Sequence, residues 1–283
     1  MFGSGLISGA MAAILAGVLA AASPTAAPVG PRPVLEHAYT IVLDAGHGGT
    51  NSGCANGRGD VHEKDVSLAL VREVRAILEE RLPHAKVVLT RDDDRTLALA
   101  DRVALANEDG ADVFVSIHAN ASPRHDQSGF ETYVLDAKAS SLDAAITARR
   151  ENAGEGTAPV AGGATPQAQA MVEQLRAAAH RNAAVALAAA IQQGQAERFP
   201  GRANRGVRQA SFDVLLGVHM PAVLFEAGFL DHDADHRVLV DGPQRHEIAV
   251  GVAEALIEQY RRAQRVRPIG RAPQGGESSA PSR

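Results

Sequence analysis

Tyr39-Thr40-Ile41-Val42-Leu43-Asp44-Ala45-Gly46-His47-Gly48-Gly49 is the stretch whose reading decides the fold. Tyr39 to Leu43 has the β-branched and aromatic composition of a buried strand. The glycines that follow end it in a loop whose backbone can approach a ligand closely. A second apolar run, Asp112 to Ile117, ends in the same way at His118. Each imidazole therefore stands at the carboxyl end of a predicted strand, where open α/β sheets place their chemistry. A third candidate, Glu63, sits in His62-Glu63-Lys64-Asp65, just before a helical pattern. Two neutral imidazoles and one carboxylate make the protein half of a catalytic zinc site, in which the fourth position is open to water. Each residue also has a plainer reading. His47 could be a turn residue, Glu63 could favour a helix start through the dipole, and His118 could be a core histidine with a hydrogen-bond partner.

Outward from these positions the pattern alternates. Val66, Leu70, Val74, Ile77 and Leu78 recur at helical spacing, opposite Arg72, Glu73, Arg75, Glu79 and Glu80, and Pro83 ends the run. Lys86 to Thr90 reads as a strand, Leu97 to Glu108 as a helix and Asp112 to Ile117 as a strand. Further strands are predicted at Phe130–Leu135, Asp213–Leu216 and Pro221–Glu226. Further helices are predicted at about Pro166–Arg198 and His246–Arg262. Strand–helix–strand alternation implies crossover connections. The expected fold is a single α/β domain over residues 39–263, with a mostly parallel twisted sheet of about six strands and helices on both faces.

The 283 residues are enough to bury one sizeable core. A net charge of −5 gives no global basic field, which argues against a nucleic-acid partner. The single cysteine, Cys54, excludes an intramolecular disulfide. It lies between two candidate ligands and could be a thiolate ligand or a plain loop residue. Gly5 to Ala22 carries no charge and ends in small residues, so residues 1–27 read as an export signal or a membrane anchor. Residues 28–38 follow as a Pro/Ala linker, and 264–283 as a disordered tail.

The polar motifs appear in a specific order: Asp44-x-Gly-His-Gly-Gly, Glu63-Lys64-Asp65-Val66, Leu89-Thr90-Arg91, Asp101-Arg102-Val103-x-x-Ala106-Asn107, Ser116-Ile117-His118-Ala119-Asn120 and Glu226-Ala227-Gly228-Phe229-Leu230. Together they resemble the zinc-dependent N-acetylmuramoyl-L-alanine amidases that cut bacterial peptidoglycan. The chain departs from them at Ala45, where the family usually has proline, and at Asp231-His232, where it usually has Ser-Asn. The resemblance implies one Zn2+ held by His47, Glu63 and His118, with Glu226 as the catalytic acid–base. It implies hydrolysis of the amide between N-acetylmuramic acid and L-alanine, for cell separation or wall turnover, in the periplasm or cell envelope. Asp44 and Asn120 could orient ligands or shape loops, and Arg91 and Arg102 could pair with nearby carboxylates or hold substrate carboxylates. Residues 137–165 exceed what a minimal enzyme needs. In division-associated members a helix at this point plugs the cleft, and one of its glutamates is an extra zinc ligand until an activator protein displaces it. Glu151 is the candidate here, and an exposed surface helix is the alternative. Monomer is the expected state. A zinc carboxypeptidase-like peptidase and a noncatalytic wall-binding regulator are the competing functions.

Overall fold

The computed structural model describes residues 38–122, 124–153 and 167–266. The leader at 1–27, all but the last residue of the linker, the glycine-bearing part of the insert at 154–165 and the tail from 267 lie outside the described residues. Among the described residues, no helix is long and apolar enough to cross a membrane.

Six strands form one sheet: β1 (Tyr39–Ala45), β2 (Ala85–Leu89), β3 (Val113–Asn120), β4 (Phe130–Leu135), β5 (Asn204–Ala210) and β6 (Ala222–Phe229), in the order β2-β1-β3-β6-β4-β5. The pairings among β2, β1, β3 and β6 are parallel, β4 is antiparallel to β6, and β5 is parallel to β4. β1, β3 and β6 are buried along their whole length. They are covered on both faces, which is why they read as continuous apolar runs.

On one face lie α1 (Glu63–Arg81), α4 (Gln167–Arg198) and α6 (Gly242–Val266). There Leu43, Val115, Ile117 and Phe225 of the sheet share a core with Leu70, Val74, Leu187, Ile191, Val252 and Leu256. On the other face lie α2 (Leu99–Glu108), α3 (Leu142–Glu151) and a 3-10 turn at Asp213–Leu215. Their core joins Val42, Phe114, Tyr133 and Leu224 to Leu99, Ala106, Ala144, Ala148 and Leu215. A short α5 (Asp233–Val240) precedes α6.

Three local expectations change. Asp213–Leu216 is not a strand: Leu215 N donates to Phe212 O and Leu216 N to Asp213 O, closing 3-10 bonds over residues whose apolar side chains alone suggested β. β5, Asn-Arg-Gly-Val-Arg-Gln-Ala, carries no apolar alternation because it is an edge strand, and α5 is too short for its period to register. α6 starts at Gly242, with Pro243 in its first turn where a missing N–H costs nothing, and runs to Val266, past the expected start of the tail.

Candidate metal and active site

The ends of β1, β3 and β6 and the start of α1 meet under α3. In β3, His118 is not beyond the strand but within it, and it is the register partner of Glu226 in β6. Period two places both side chains on the face that Phe114 and Leu224 share with α2 and α3. His47 follows β1 in a left-handed conformation, φ +61°, which is rare for a residue with a Cβ. The buried guanidinium of Arg102 holds that conformation by donating to His47 O (2.8 Å), Ala45 O (2.6 Å) and the Asp44 carboxylate (2.8 Å). Arg91, fully buried, donates to Ala45 O, Gly46 O and Lys64 O, tying the loop to α1. Both arginines thus grip backbone carbonyls around the histidine loop.

Glu63 is the first residue of α1 and is completely buried. Its Oε1 lies 2.9 Å from His118 Nδ1 and 3.1 Å from His47 Nε2. Ala119 N donates to Oε1 and Cys54 N to Oε2, which fixes the carboxylate. Glycines provide the space. A Cβ on Gly46 would lie 2.3 Å from the His118 ring, and one on Gly53 would lie 2.6 Å from Glu63 Oε2.

Glu151, the last residue of α3, completes the cluster. Its Oε2 is 2.9 Å from His47 Nε2 and 3.0 Å from His118 Nδ1. One donor atom from each of His47, Glu63, His118 and Glu151 lies within 4.8 Å of all the others, and all four residues are buried. None of the other described histidines joins this cluster. Cys54 stays outside as well. Burial raises its pKa well above the ordinary thiol value, the Glu63 carboxylate adds to the shift, and its Sγ donates to Ala119 O (3.0 Å).

The arrangement fits a divalent ion. The Ser116 hydroxyl donates to Asp44 Oδ2 (2.6 Å), so its oxygen is left to accept from His118 Nε2–H (3.1 Å), and His118 Nδ1 presents its lone pair to the cluster. Asp44 therefore reaches the imidazole through Ser116 rather than directly. His47 Nδ1–H donates to Asn51 Oδ1 (3.1 Å), which turns Nε2 inward. Among the described residues, Glu151 Oε2 accepts no hydrogen bond of proper geometry even though two imidazole nitrogens lie within 3.0 Å. The four ligand atoms lie within 4.8 Å of one another, close enough to share one ion, and two carboxylates balance a doubly charged ion. Without an ion, protons take that role. Burial opposes charge on both imidazoles, but Glu63 and Glu151 outweigh it and raise His47 to about 11 and His118 to about 10. Glu63 itself is pulled well below the ordinary carboxylate range: its burial opposes this, but the facing imidazoles prevail.

Glu226 is fully buried, and neither carboxylate oxygen accepts a hydrogen bond among the described residues. Burial pushes its carboxyl well above the usual range, and Glu151 nearby adds to the shift. Such a group costs stability unless the site uses it. Arg150 faces it as well, with Nη2 3.8 Å from Glu226 Oε1. Arg150 also donates to Asn120 Oδ1 (2.9 Å), to Ala121 O (2.8 Å) and, through Nε and Nη2, to Glu151 Oε1. Asn120 turns its amide nitrogen to the buried Glu131 (2.9 Å), so it bridges the strand to the insert rather than touching the cluster. Sequence reasoning missed Arg150, Glu131, Ser116 and Asn51. Ser116 and Glu131 had a signal: each is a polar residue on an otherwise apolar strand. Asn51 sits in the loop with no pattern to mark it.

Buried histidines and glutamates gathered beside the central strands of a mostly parallel α/β sheet define a candidate metal centre, and similarity to known proteins specifies the class. Residues 41–258 match the N-acetylmuramoyl-L-alanine amidase family, and the chain belongs to that family. It is 31% identical over 224 residues to the N-acetylmuramoyl-L-alanine amidase AmiA of Escherichia coli, covering 78% of this chain and 75% of that one. It also spans 51% of a longer curated relative. Among solved structures, the catalytic domain of the amidase CwlV from Paenibacillus polymyxa matches at 29% identity and a TM-score of 0.59, over 79% of this chain and 98% of that one. An N-acetylmuramoyl-L-alanine amidase from Clostridium difficile matches at 25% identity and a TM-score of 0.60, over 80% of this chain and 98% of that one.

Proposed function

We propose that the chain hydrolyses the amide between the lactyl group of N-acetylmuramic acid and L-alanine of the peptidoglycan stem peptide. In this reading His47, Glu63 and His118 hold one zinc ion, Glu226 is the acid–base, and Glu151 keeps the enzyme latent. The convergence of His47, Glu63, His118 and Glu151 on one point beside Glu226 supports it most directly. Zinc held there would supply Lewis acidity toward water and the scissile carbonyl, bringing the water's pKa to about 7.

The chain's own groups do the rest. Glu226, register partner of His118 and free of hydrogen bonds among the described residues, is placed to take a proton from water and pass it to the leaving nitrogen of L-alanine. Its raised pKa suits a group that must hold that proton between the two steps. The Ser116–Asp44 relay keeps His118 in the tautomer that offers Nδ1, and Arg102 holds the His47 backbone while Asn51 turns its Nε2 inward. With α3 docked, Glu151 occupies the place a water would need, and Arg150 pins it to Asn120. An envelope protein that lifts α3 would open the site. Residues 1–27 would direct export to the periplasm or cell envelope, with a role in cell separation or wall turnover, and the working unit is a monomer.

Digestion of purified sacculi with and without chelator, followed by mass analysis, tests the reaction. The expected products are free stem peptides with an L-alanine amino terminus and intact glycan strands, formed only with metal. Peptides shortened while still attached would instead identify a peptidase.

A further inference from the structure

One charged patch beside the site is not absorbed by this mechanism. Across the sheet order β3-β6-β4-β5, the face that carries His118 and Glu226 continues to Glu131 in β4, register partner of Glu226, and then to Arg205 and Arg208 in the edge strand β5. Glu131 is buried, and a single oxygen, Oε2, faces both Arg205 Nε (2.8 Å) and Arg208 Nε (2.9 Å). Its other oxygen accepts from Asn120 Nδ2 and the Tyr133 hydroxyl. Two guanidiniums thus share one carboxylate, leaving a surplus positive charge. Outward of Glu131, Arg205 Nη2 donates to Gln127 Oε1 (2.8 Å) and lies 3.7 Å from Asp143 Oδ2, and Arg208 Nη1 donates to Ser141 Oγ (2.9 Å), so the start of α3 supplies one hydrogen-bond partner and one facing carboxylate. The Arg205 guanidinium carbon lies over the Phe229 ring, 5.0 Å from its centre. A planar, preorganised fork suits carboxylate recognition better than a lysine would.

We infer that Arg205 and Arg208 form a carboxylate subsite for an acidic residue of the stem peptide, and that Asp143 fills it while α3 is docked. This rests on the amidase reading and extends it to the substrate's peptide side. β5 lies two strands from β6, roughly 10 Å at ordinary strand spacing. An extended peptide rises roughly 3.4 Å per residue, so the carboxylate recognised lies two or three residues beyond the cleaved amide.

The zinc-loaded full chain tests this with two synthetic N-acetylmuramoyl peptides that differ only in whether that acid is free or amidated. Their KM values are compared, together with equilibrium binding of the matching free peptides by fluorescence anisotropy. The free acid should bind about tenfold more tightly, as one charge-assisted pair allows. Arg208→Gln and Arg205→Gln should each raise KM for the acid peptide and shrink that preference. Asp143→Asn, half exposed and so a mild change to the fold, should tighten binding of the acid peptide by removing its competitor. Equal binding of acid and amide, or a preference that survives both arginine changes, overturns the subsite. Selective binding with no hydrolysis even by the unlatched Glu151→Ala chain supports the subsite and refutes the amidase reading, so the two can fail separately.

Discussion

Changing Glu151 to alanine should raise basal activity, and the packing of α3 sets the size of the rise. α3 buries Ala144, Thr147, Ala148 and Glu151, while Leu142 is 77% exposed. The apolar part of that burial amounts to three methyl groups, about 2–3 kcal/mol at about 0.8 kcal/mol each. That is too little to hold a ten-residue helix against its ordering entropy, so the polar end must supply the rest. Glu151 faces two imidazoles and the Arg150 fork. Losing charge-assisted bonds of this kind costs about 1.5–3 kcal/mol, which at about 1.4 kcal/mol per tenfold shifts the undocked population up by about 10- to 150-fold. The release of dye-labelled peptidoglycan by the Glu151→Ala chain should rise by the same factor at unchanged metal content, because His47, Glu63 and His118 remain. A rate within twofold of the parent, with the metal in place, would refute the latch.

Glu226→Gln should retain metal and lose about 10²–10⁴-fold in turnover, read as hydrolysis rate beside metal analysis; an active Gln variant would reassign the acid–base. Gly46→Ala would place a Cβ 2.3 Å from the His118 ring, so metal affinity should collapse while circular dichroism stays near that of the parent. Metal affinity should also rise with pH. With folded-state values raised to about 11 and 10, His47 and His118 are both protonated in the metal-free chain at neutral pH, and a metal must displace those protons. Between pH 7 and 9 the apparent affinity should gain up to about 100-fold per unit, the two-proton slope, and flatten once pH passes about 10–11. Competition titrations with a zinc dye measure this, and a pH-independent constant would show that the imidazoles are uncharged without metal.

Much of this was legible in the sequence because the central strands are covered on both faces. β1, β3 and β6 had to be unbroken apolar runs, and a polar side chain that interrupts such a run, as His118 and Glu226 do, stands out. β5 escaped notice for the opposite reason: as an edge strand its arginines, glutamine and asparagine carry no period. Glu63 could be read as a helix-start residue or a ligand, and it is physically both, the first residue of α1 with its carboxylate turned into the cluster. The place of Glu151 came from resemblance, since its neighbours form an alanine-rich helix that would look the same on an open surface. Arg150 could not be weighed at all, because its partners other than Glu151, namely Asn120, Ala121 and Glu226, lie far from it in sequence. The direction of β4 was equally hidden: a six-residue strand reads alike in parallel and antiparallel pairings.

X-ray absorption at the zinc edge of the metal-loaded full chain tests the account most directly. The prediction is one zinc per chain with two nitrogen neighbours, carboxylate oxygens and no sulfur, and loss of bound zinc on His118→Ala. A sulfur neighbour, which only Cys54 or a methionine could supply, or a zinc site unaffected by the loss of His118, would contradict it.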